Sequence, residues 1–296
     1  MRLKCFQGID LIHGGTQMRW KQFFTPVESF DAEQARQYVS DHLHDAFTLL
    51  DVRQPNEYES GHIPGAKLIP LPDLTDRLAE IDPQKPALVY CAIGGRSRVA
   101  AQMLSGKGFR AVYNLSGGFK AWQGRAAFGA EEKGLELFSG NESPVKTLIT
   151  AYSLETGLRD FYESMLPKVN NAGARKLFQK LAEIESRHQE RVFNEYLKIT
   201  AEILSRNEFE KQIVTKEVEG GLTTAEYTRL FPMDPESLTD ITELAMSIEA
   251  QALDLYTRAA EKSKNNLSRE ILMQMAAEEQ AHLKQLGQLI DGIVSI

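Results

Sequence analysis

The sequence predicts an α/β domain, in which helices flank a parallel sheet, followed by an all-α four-helix bundle. In the first half of the chain, short β-branched or apolar runs alternate with helical stretches, which is the pattern of a parallel sheet covered by helices. The second half is helical and contains an internal repeat. A chain of 296 residues also exceeds what one core usually fills, which favours two domains.

The predicted domain boundaries follow these changes in pattern. They are a flexible N-terminal leader at 1–23, the α/β domain at 24–124, a linker at 125–143 and the helical bundle at 144–296. Met18 stands directly before the first segment with a folded pattern, and the sequence leaves open whether translation starts at Met1 or at Met18.

Charge and cysteine usage exclude several classes of function. The chain has 34 Lys and Arg against 41 Asp and Glu, a net charge of −7, and no basic block of the kind that nucleic-acid binding requires. It has neither an apolar run of the roughly 20 residues that span a membrane nor a signal-peptide pattern, so a cytoplasmic protein is expected. Cys5 and Cys91 are too few for a disulfide framework or for a rubredoxin-type iron site.

The pattern of the first domain predicts three strands and four helices. The strands are expected at 48–52, 87–91 and 111–115, and the helices at 31–40, 71–80, 97–107 and 118–123. Glycines and prolines between 61 and 72 mark turns.

Four long helices are predicted for the second domain, at 144–168, 172–204, 236–262 and 267–294. Ser143 is a favourable N-cap and Pro144 suits the first helical position, so the first helix is expected to begin there. The connection from 205 to 235 is much longer than the others. One long crossover among short turns is the connectivity of a ferritin-like bundle.

An internal repeat relates the two halves of this bundle. The segment at 151–162 aligns without gaps with the segment at 245–256, and the offset is 94 residues (249 − 155). A Glu-x-x-His motif recurs at the same offset on the other two helices. In each copy the Glu and His share a helix face with apolar residues spaced by three and four positions, so they are predicted to point into the core.

Four carboxylates that converge inside one bundle need cations among them, because buried unpaired carboxylates are costly and repel each other. Two divalent metal ions would neutralise them, and oxygen ligands with one imidazole per metal favour iron, with manganese or zinc as alternatives. The predicted metal ligands are Glu155, Glu185, His188, Glu249, Glu279 and His282. Tyr162 and Tyr256 lie about two turns further on and could hydrogen-bond a ligand carboxylate, although core packing is the favoured explanation for them.

These residues resemble the ferritin-like di-iron domain of rubrerythrins, over residues 144–296. The resemblance implies a dinuclear iron site that reacts with peroxide or oxygen. Two features depart from the family: Ala252 stands where rubrerythrins usually have a further Glu, and a four-cysteine rubredoxin domain is absent from the sequence. The first departure calls the usual redox-linked iron movement into question, and the second implies an external electron donor.

Cys91 lies at the start of the loop CAIGGRS, between an apolar run and a helix. A thiol that faces a glycine-rich turn and a helix N-terminus has its thiolate favoured by backbone N–H groups, and Arg96 adds a positive charge. Such a sulfur is a nucleophile that can carry a second sulfur atom as a persulfide. The predicted catalytic residues are Cys91 and Arg96, and the predicted substrate-binding loop consists of Ala92, Ile93, Gly94, Gly95 and Ser97.

This half of the chain resembles a single rhodanese domain over nearly all of residues 24–124. The matching motifs are LLDVR at 49–53, EY at 57–58, GHIPGA at 61–66, YCAIGGRS at 90–97 and NLSGGFKAW at 114–122. The resemblance implies that Cys91 takes a sulfane sulfur from a donor and passes it to a thiol acceptor, while Arg96 and the loop amides bind the anionic donor. Residues expected to support the fold instead are Asp51, Arg53, Glu57 and His62.

Two rival interpretations of this domain are weaker. A phosphatase of similar shape has five residues between its Cys and Arg, whereas four separate Cys91 from Arg96. A degenerate module that only binds partners is disfavoured by the intact cysteine.

The sequence therefore predicts a rhodanese-type sulfurtransferase fused to a peroxidase-like di-iron oxidoreductase. The expected cofactor is a pair of iron ions. The expected partners are a small sulfane-sulfur donor, a thiol acceptor, an external electron donor and a second copy of the chain in a homodimer. The alternative is a sensing protein whose metal site reports oxidants and whose rhodanese domain docks a sulfur-carrying partner without turnover.

Overall fold

The computed structural model describes residues 27–201, 204–213, 221, 226, 227, 229 and 234–294, with the backbone alone for 289–294. The predicted leader at 1–23, with Cys5 and Met18, therefore lies outside the described residues. None of the described helices is both long enough and apolar enough to cross a membrane.

A five-stranded parallel sheet forms the centre of the first domain, in the strand order β1-β5-β4-β2-β3. The strands are β1 (Glu28–Phe30), β2 (Thr48–Asp51), β3 (Lys67–Leu68), β4 (Ala87–Tyr90) and β5 (Val112–Leu115). The helices are α1 (Ala32–Asp41), α2 (Pro55–Glu59), α3 (Gly95–Gly106) and α4 (Gly118–Trp122). The predicted α/β class with a parallel sheet is confirmed.

Two parts of the first domain differ from the sequence prediction. The predicted helix at 71–80 is wrong, because the chain forms two short 3₁₀ turns there, Leu71–Asp73 and Leu78–Glu80. Leu71, Leu74 and Leu78 are spaced as in a helix, but successive turns are enough to place all three against one apolar core. The sequence pattern also does not predict the edge strands β1 and β3, which are too short to show a period.

Four long helices make up most of the second half, as predicted. They are α5 (Pro144–Met165), α6 (Ala172–Thr200), α8 (Leu238–Lys262) and α9 (Asn266–Val294). Ser143 Oγ accepts a hydrogen bond from the backbone N–H of Lys146 at 3.3 Å, which is the expected N-cap. Helix α5 packs along α6 and α8 along α9, and all four contribute to two apolar clusters. A ferritin-like arrangement stays a prediction.

In the first described part of the long crossover between α6 and α8, residues Arg206–Glu210 form a short helix, α7. Ser205 caps this helix through a reciprocal pair of hydrogen bonds with Glu208. Most of the crossover after residue 213 lies outside the described residues.

Helix α8 contacts the first domain and the segment 125–143 through buried polar groups. Asp254 on α8 is fully buried, and its carboxylate pairs with Arg258 Nε at 2.7 Å. The Arg258 guanidinium also donates to two carbonyl oxygens of the segment 125–143, at 2.7 and 3.0 Å. The segment predicted as a linker therefore packs against this helix, with Phe138 only 1% exposed.

Candidate functional sites

The sulfur of Cys91 lies at the end of β4 and the side chain is 1% exposed. The backbone N–H of Gly94 donates to Sγ at 3.1 Å, and Ser97 Oγ lies 3.4 Å from Sγ. Burial raises the pKa of the Cys91 thiol, but the hydrogen bonds from Ser97 and the loop amides outweigh burial and bring the pKa below its ordinary value. The loop therefore favours the nucleophilic thiolate.

Two glycines shape the loop around this sulfur. Gly94 has φ of +92°, a left-handed conformation that turns the chain directly into α3. Gly118 approaches from α4, and a Cβ at this position would lie 2.2 Å from the carbonyl oxygen of Cys91. Among the other loop residues, Ile93 is 70% exposed and Gly95 begins α3. The carbonyl oxygen of Ala92 accepts a hydrogen bond from the backbone N–H of Lys120 at 3.0 Å.

Ser97 is held in place by Asn114, a buried residue that the sequence analysis did not single out. The distance between Ser97 Oγ and Asn114 Oδ1 is 2.7 Å, and Asn114 Nδ2 lies 3.2 Å from Ser29 Oγ. A hydroxyl has one proton, so Ser97 can donate to the sulfur only when the amide of Asn114 turns its NH₂ group toward Ser97. In the sequence Asn114 is one amide within the strand VYNL, and its complete burial is visible only in the structure.

Arg96 stands beside the loop in a bidentate ion pair with Glu57, with N–O distances of 2.8 and 2.7 Å. The hydrogen bond from Arg96 lowers the pKa of Glu57 to about 2. Glu57 in turn raises the pKa of Arg96, and the nearby Cys91 sulfur contributes in the same direction. An anionic donor that binds Arg96 must therefore share the guanidinium with Glu57.

Asp51 and Arg53, expected to support the fold, form a buried pair with an N–O distance of 2.7 Å. Arg53 also donates to the carbonyl oxygen of Gly61 at 2.7 Å, and its guanidinium lies 4.4 Å from the ring centre of Phe119. These contacts tie β2 to the GHIPGA turn and to α4.

The four carboxylates predicted as metal ligands are all in the protein interior. None of them is more than 2% exposed, and they are Glu155, Glu185, Glu249 and Glu279. Potential ligand atoms form two groups, and within each group all the atoms lie within 4.8 Å of one another. One group consists of Glu155, Glu185 and His188, and the other consists of His188, Glu279 and His282. His188 belongs to both groups.

The two copies of the sequence repeat face each other in the structure. His188 Nδ1 lies 3.2 Å from Glu155 Oε2 and 3.1 Å from Glu185 Oε2. In the other copy, His282 Nδ1 lies 3.1 Å from Glu279 Oε2 and 3.5 Å from Glu249 Oε2. The two imidazole rings stack with their centres 4.5 Å apart. All six predicted ligands therefore lie around one region between the helices.

The donor set of this region fits divalent metal ions. Glu155 Oε1 and Glu185 Oε1 are buried without a hydrogen-bond partner among the described residues. Burial raises the pKa of Glu185 well above its ordinary value, and the neighbouring Glu155 and Glu249 add to this effect. Burial lowers the pKa of His188, but the charges of Glu155 and Glu185 outweigh burial and raise it. Cations would satisfy these oxygens and relieve the repulsion.

Tyr162 and Tyr256 lie in the helical core. The ring of Tyr162 is 6.3 Å from that of Phe178, and the ring of Tyr256 is 6.3 Å from that of Phe138. Both side chains are at most 1% exposed. Their packing accounts for their burial, and a hydrogen bond from either hydroxyl to a ligand carboxylate stays a prediction.

Comparison with known proteins identifies the first domain. Residues 32–125 match the family model of the rhodanese-like domain, and this part of the chain is a rhodanese-like domain. A match of this extent covers about a third of the sequence and contains Cys91 with its loop.

Two curated proteins and a solved structure illustrate the similarity. The uncharacterized protein YqhL of Bacillus subtilis is 52% identical over 77 residues, which cover 26% of this chain and 61% of that protein. The chloroplastic rhodanese-like/PpiC domain-containing protein 12 of Arabidopsis thaliana is 38% identical over 105 residues, 33% of this chain and 34% of that protein. The chain thus spans less than two thirds of either relative. A crystal structure of a Staphylococcus aureus rhodanese-like domain protein is 28% identical, covering 32% of this chain and 91% of that one, with a TM-score of 0.30.

Proposed function

We propose that the chain is a sulfurtransferase that carries a sulfane sulfur on Cys91. The observation that carries the proposal is the arrangement at Sγ, where Gly94 N–H at 3.1 Å and Ser97 Oγ at 3.4 Å favour the thiolate. The rhodanese-like domain that contains this loop supports the same chemistry.

The transfer takes place in two displacements. The Cys91 thiolate attacks the terminal sulfur of a donor that contains a sulfur–sulfur bond, and the rest of the donor leaves as sulfite or as a thiolate. The loop amides and Arg96 are placed to hold the negative terminal sulfur of the resulting persulfide. An acceptor thiolate then attacks that sulfur, and Cys91 leaves as the thiolate with which the cycle began.

The test is sulfur transfer from thiosulfate and from glutathione persulfide to a thiol acceptor. Wild-type protein should gain the mass of one sulfur atom after exposure to the donor and lose it on addition of the acceptor. Cys91→Ser should do neither, whereas Cys5→Ser should behave as wild type. Full activity in Cys91→Ser would overturn the assignment.

We further propose that the helical half is a ferritin-like bundle with a dinuclear metal centre. The six residues that would hold it are Glu155, Glu185, His188, Glu249, Glu279 and His282. The supporting observation is that Glu155 Oε1 and Glu185 Oε1 are buried without a hydrogen-bond donor among the described residues, in one of two repeated helix pairs that face each other. Bound iron ions would supply the electron transfer to peroxide or oxygen that these side chains cannot perform, and an external donor would restore the electrons.

The protein side chains have a separate task at this centre, which is to bind the ions and limit access to them. A cavity of about 40 Å³ lies against Glu249 and His282 and is otherwise lined mainly by apolar side chains such as Leu181 and Leu286. It has room for a few water-sized molecules, so small oxidants are the substrates that fit.

Metal content measured on protein purified without oxygen tests this second proposal. About two metal ions per chain are expected, and the absorption spectrum should change on addition of peroxide. Glu185→Gln should lose metal, whereas Glu183→Gln, on the exposed face of the same helix, should not. Less than one metal ion per chain under iron-replete conditions would contradict the proposal. Repeated turnover of peroxide with an external reductant would distinguish an enzyme from an oxidant sensor.

A further inference from the structure

We propose that the contact between the two domains contains a binding site for an organic anion with an apolar body. A cavity of about 420 Å³ lies there, between α1, the residues that follow α4, and helices α8 and α9. Its volume is within the range of small-molecule binding sites, which are often found at domain interfaces. None of the residues assigned to sulfur transfer or to metal binding lines this cavity.

The charged side chains that line the cavity are all positive among the described residues. Arg36, Arg125 and Lys284 line it, and the described residues of its wall include no Asp or Glu. The chain as a whole has a net charge of −7, so this wall differs in sign from the rest of the molecule. An anion is therefore the ligand that the cavity attracts.

Arg125 differs from the other two cations because it has no ion pair among the described residues. Its guanidinium donates to Met246 Sδ at 3.0 Å, and it forms no ion pair within 4.0 Å among the described residues. Burial lowers the pKa of Arg125 below its ordinary value, and Glu243 opposes this only partly. A thioether is a weak acceptor. A carboxylate or sulfonate in the cavity would be a stronger partner for this guanidinium.

The other two cations already have acidic neighbours. Arg36 pairs with Glu33 at 2.8 Å, and Lys284 Nζ lies 3.7 Å from an oxygen of Asp41. They attract an anion from a distance, while Arg125 is placed to bind it directly.

Most of the remaining wall is apolar. Trp122 comes from the first domain, and Leu253 and Leu283 come from the helices of the second. An aliphatic or aromatic body would bury surface against these side chains. Because both domains contribute, the site is complete only when they are docked together.

The full-length protein can be tested with 1-anilinonaphthalene-8-sulfonate, a fluorescent aromatic sulfonate, and with decanoate as its competitor. Saturable fluorescence that decanoate reverses is expected. Arg125→Gln should weaken the binding of both probes about tenfold or more, because a charge-assisted hydrogen bond is lost. Arg110→Gln, an exposed arginine of the same domain, should leave binding unchanged.

A second variant keeps the test decisive if Arg125→Gln folds poorly. Ser40 is exposed and lines the cavity, so Ser40→Trp should obstruct it without disturbing a core. Loss of probe binding with an unchanged unfolding midpoint would support the site. Unchanged binding in both variants would overturn it, as would competition by uncharged decanol that equals that of decanoate. Cys91→Ser and Glu185→Gln should bind the probe as wild type does, which separates this inference from the proposed function.

Discussion

The backbone N–H of Gly65 donates a hydrogen bond to Asp254 Oδ1 at 2.9 Å, across 189 residues of sequence. Gly65 belongs to the GHIPGA turn of the rhodanese-like domain, and Asp254 is on the helix that contains the predicted ligand Glu249. His62 Nε2 lies 3.2 Å from the same carboxylate oxygen. Burial raises the pKa of Asp254, but Arg258 and His62 outweigh burial and bring it well below its ordinary value. The buried carboxylate of Asp254 thus contacts both domains.

Asp254→Asn should therefore destabilise the whole chain. The substitution leaves Arg258 buried without its carboxylate, and breaking a buried pair in this way costs about 3 kcal/mol. The ionised carboxylate stabilises the fold above the unfolded-state pKa of about 4, and this contribution is lost as the pH falls further. Chemical denaturation should show that the variant has a much lower free energy of unfolding than wild type at pH 7. The difference in free energy of unfolding should be smaller at pH 3.

The matched control is Asp160→Asn, since Asp160 pairs with Arg159 on the surface at 2.9 Å. Exposed pairs contribute about 0–1 kcal/mol. Equal effects of the two substitutions would show that the buried pair does not stabilise the domain contact.

His44 makes the same contact sensitive to acid. A Cβ at Gly65 would lie 2.5 Å from His44 Nδ1, so the imidazole ring packs directly against the turn. Burial lowers the pKa of His44 to about 4, although Asp254 and Asp45 oppose it. Between pH 6.5 and pH 4 the unfolded chain binds a proton here that the folded chain does not, so stability should fall as the pH falls through this window. His44→Gln should make the free energy of unfolding less dependent on pH there, whereas His42→Gln, an exposed histidine, should not.

Gly118→Ala should disrupt the Cys91 loop. Its φ is +59°, and the added Cβ would lie 2.2 Å from the Cys91 carbonyl oxygen and 2.7 Å from the backbone N of Ile93. Gly108→Ala is the control, because Gly108 also has positive φ, +89°, but nothing lies within 4 Å of its Cβ position. The control should lose about 1–2 kcal/mol from backbone strain, and Gly118→Ala clearly more. Similar unfolding midpoints for the two variants would show that the close approach to Cys91 has no energetic cost.

The features that the sequence predicts are those with a local pattern. The rhodanese-like domain follows from contiguous motifs, and the loop after β4 places Gly94 and Ser97 next to Cys91 because they are adjacent in the chain. The buried Glu residues follow from helical spacing within each repeat. The repeat predicts that these Glu residues lie close together near His188, but the distances between them come only from the structure.

The roles of Asp254 and Asn114 could not be predicted from the sequence. Asp254 lies in the stretch ALDLY, where it has the appearance of one polar residue in an amphipathic helix, and its partner Gly65 is 189 residues away. Asn114 acts through Ser97, 17 residues earlier on a different element. Neither relationship leaves a spacing signal, because each depends on how separate elements pack.

Ser97→Ala should make the Cys91 thiol less reactive. The hydroxyl contributes to the lowered pKa of Cys91, so its removal should raise that pKa and reduce the thiolate fraction near neutral pH. Alkylation by iodoacetamide at pH 7 should slow by roughly threefold to tenfold, the effect of one hydrogen bond of about 1 kcal/mol. The difference in alkylation rate should disappear at high pH, where Cys91 is ionised in both the wild type and the variant. Ser105→Ala, on the same helix, should alkylate at the wild-type rate, and a flat difference across pH would argue for a steric effect instead.

His188 and His282 occupy equivalent positions in the repeat but not in the structure. His188 contributes to both groups of potential ligand atoms, whereas His282 contributes to one. Within the proposed metal centre, His188→Ala should therefore reduce the metal content of both positions, and His282→Ala should leave one ion bound per chain. Metal analysis with iron and with manganese, after identical reconstitution and desalting, measures the difference directly. An equal loss of metal in the two variants would contradict this prediction. It would mean that each imidazole binds one ion and that the two histidines are equivalent in the metal-bound protein.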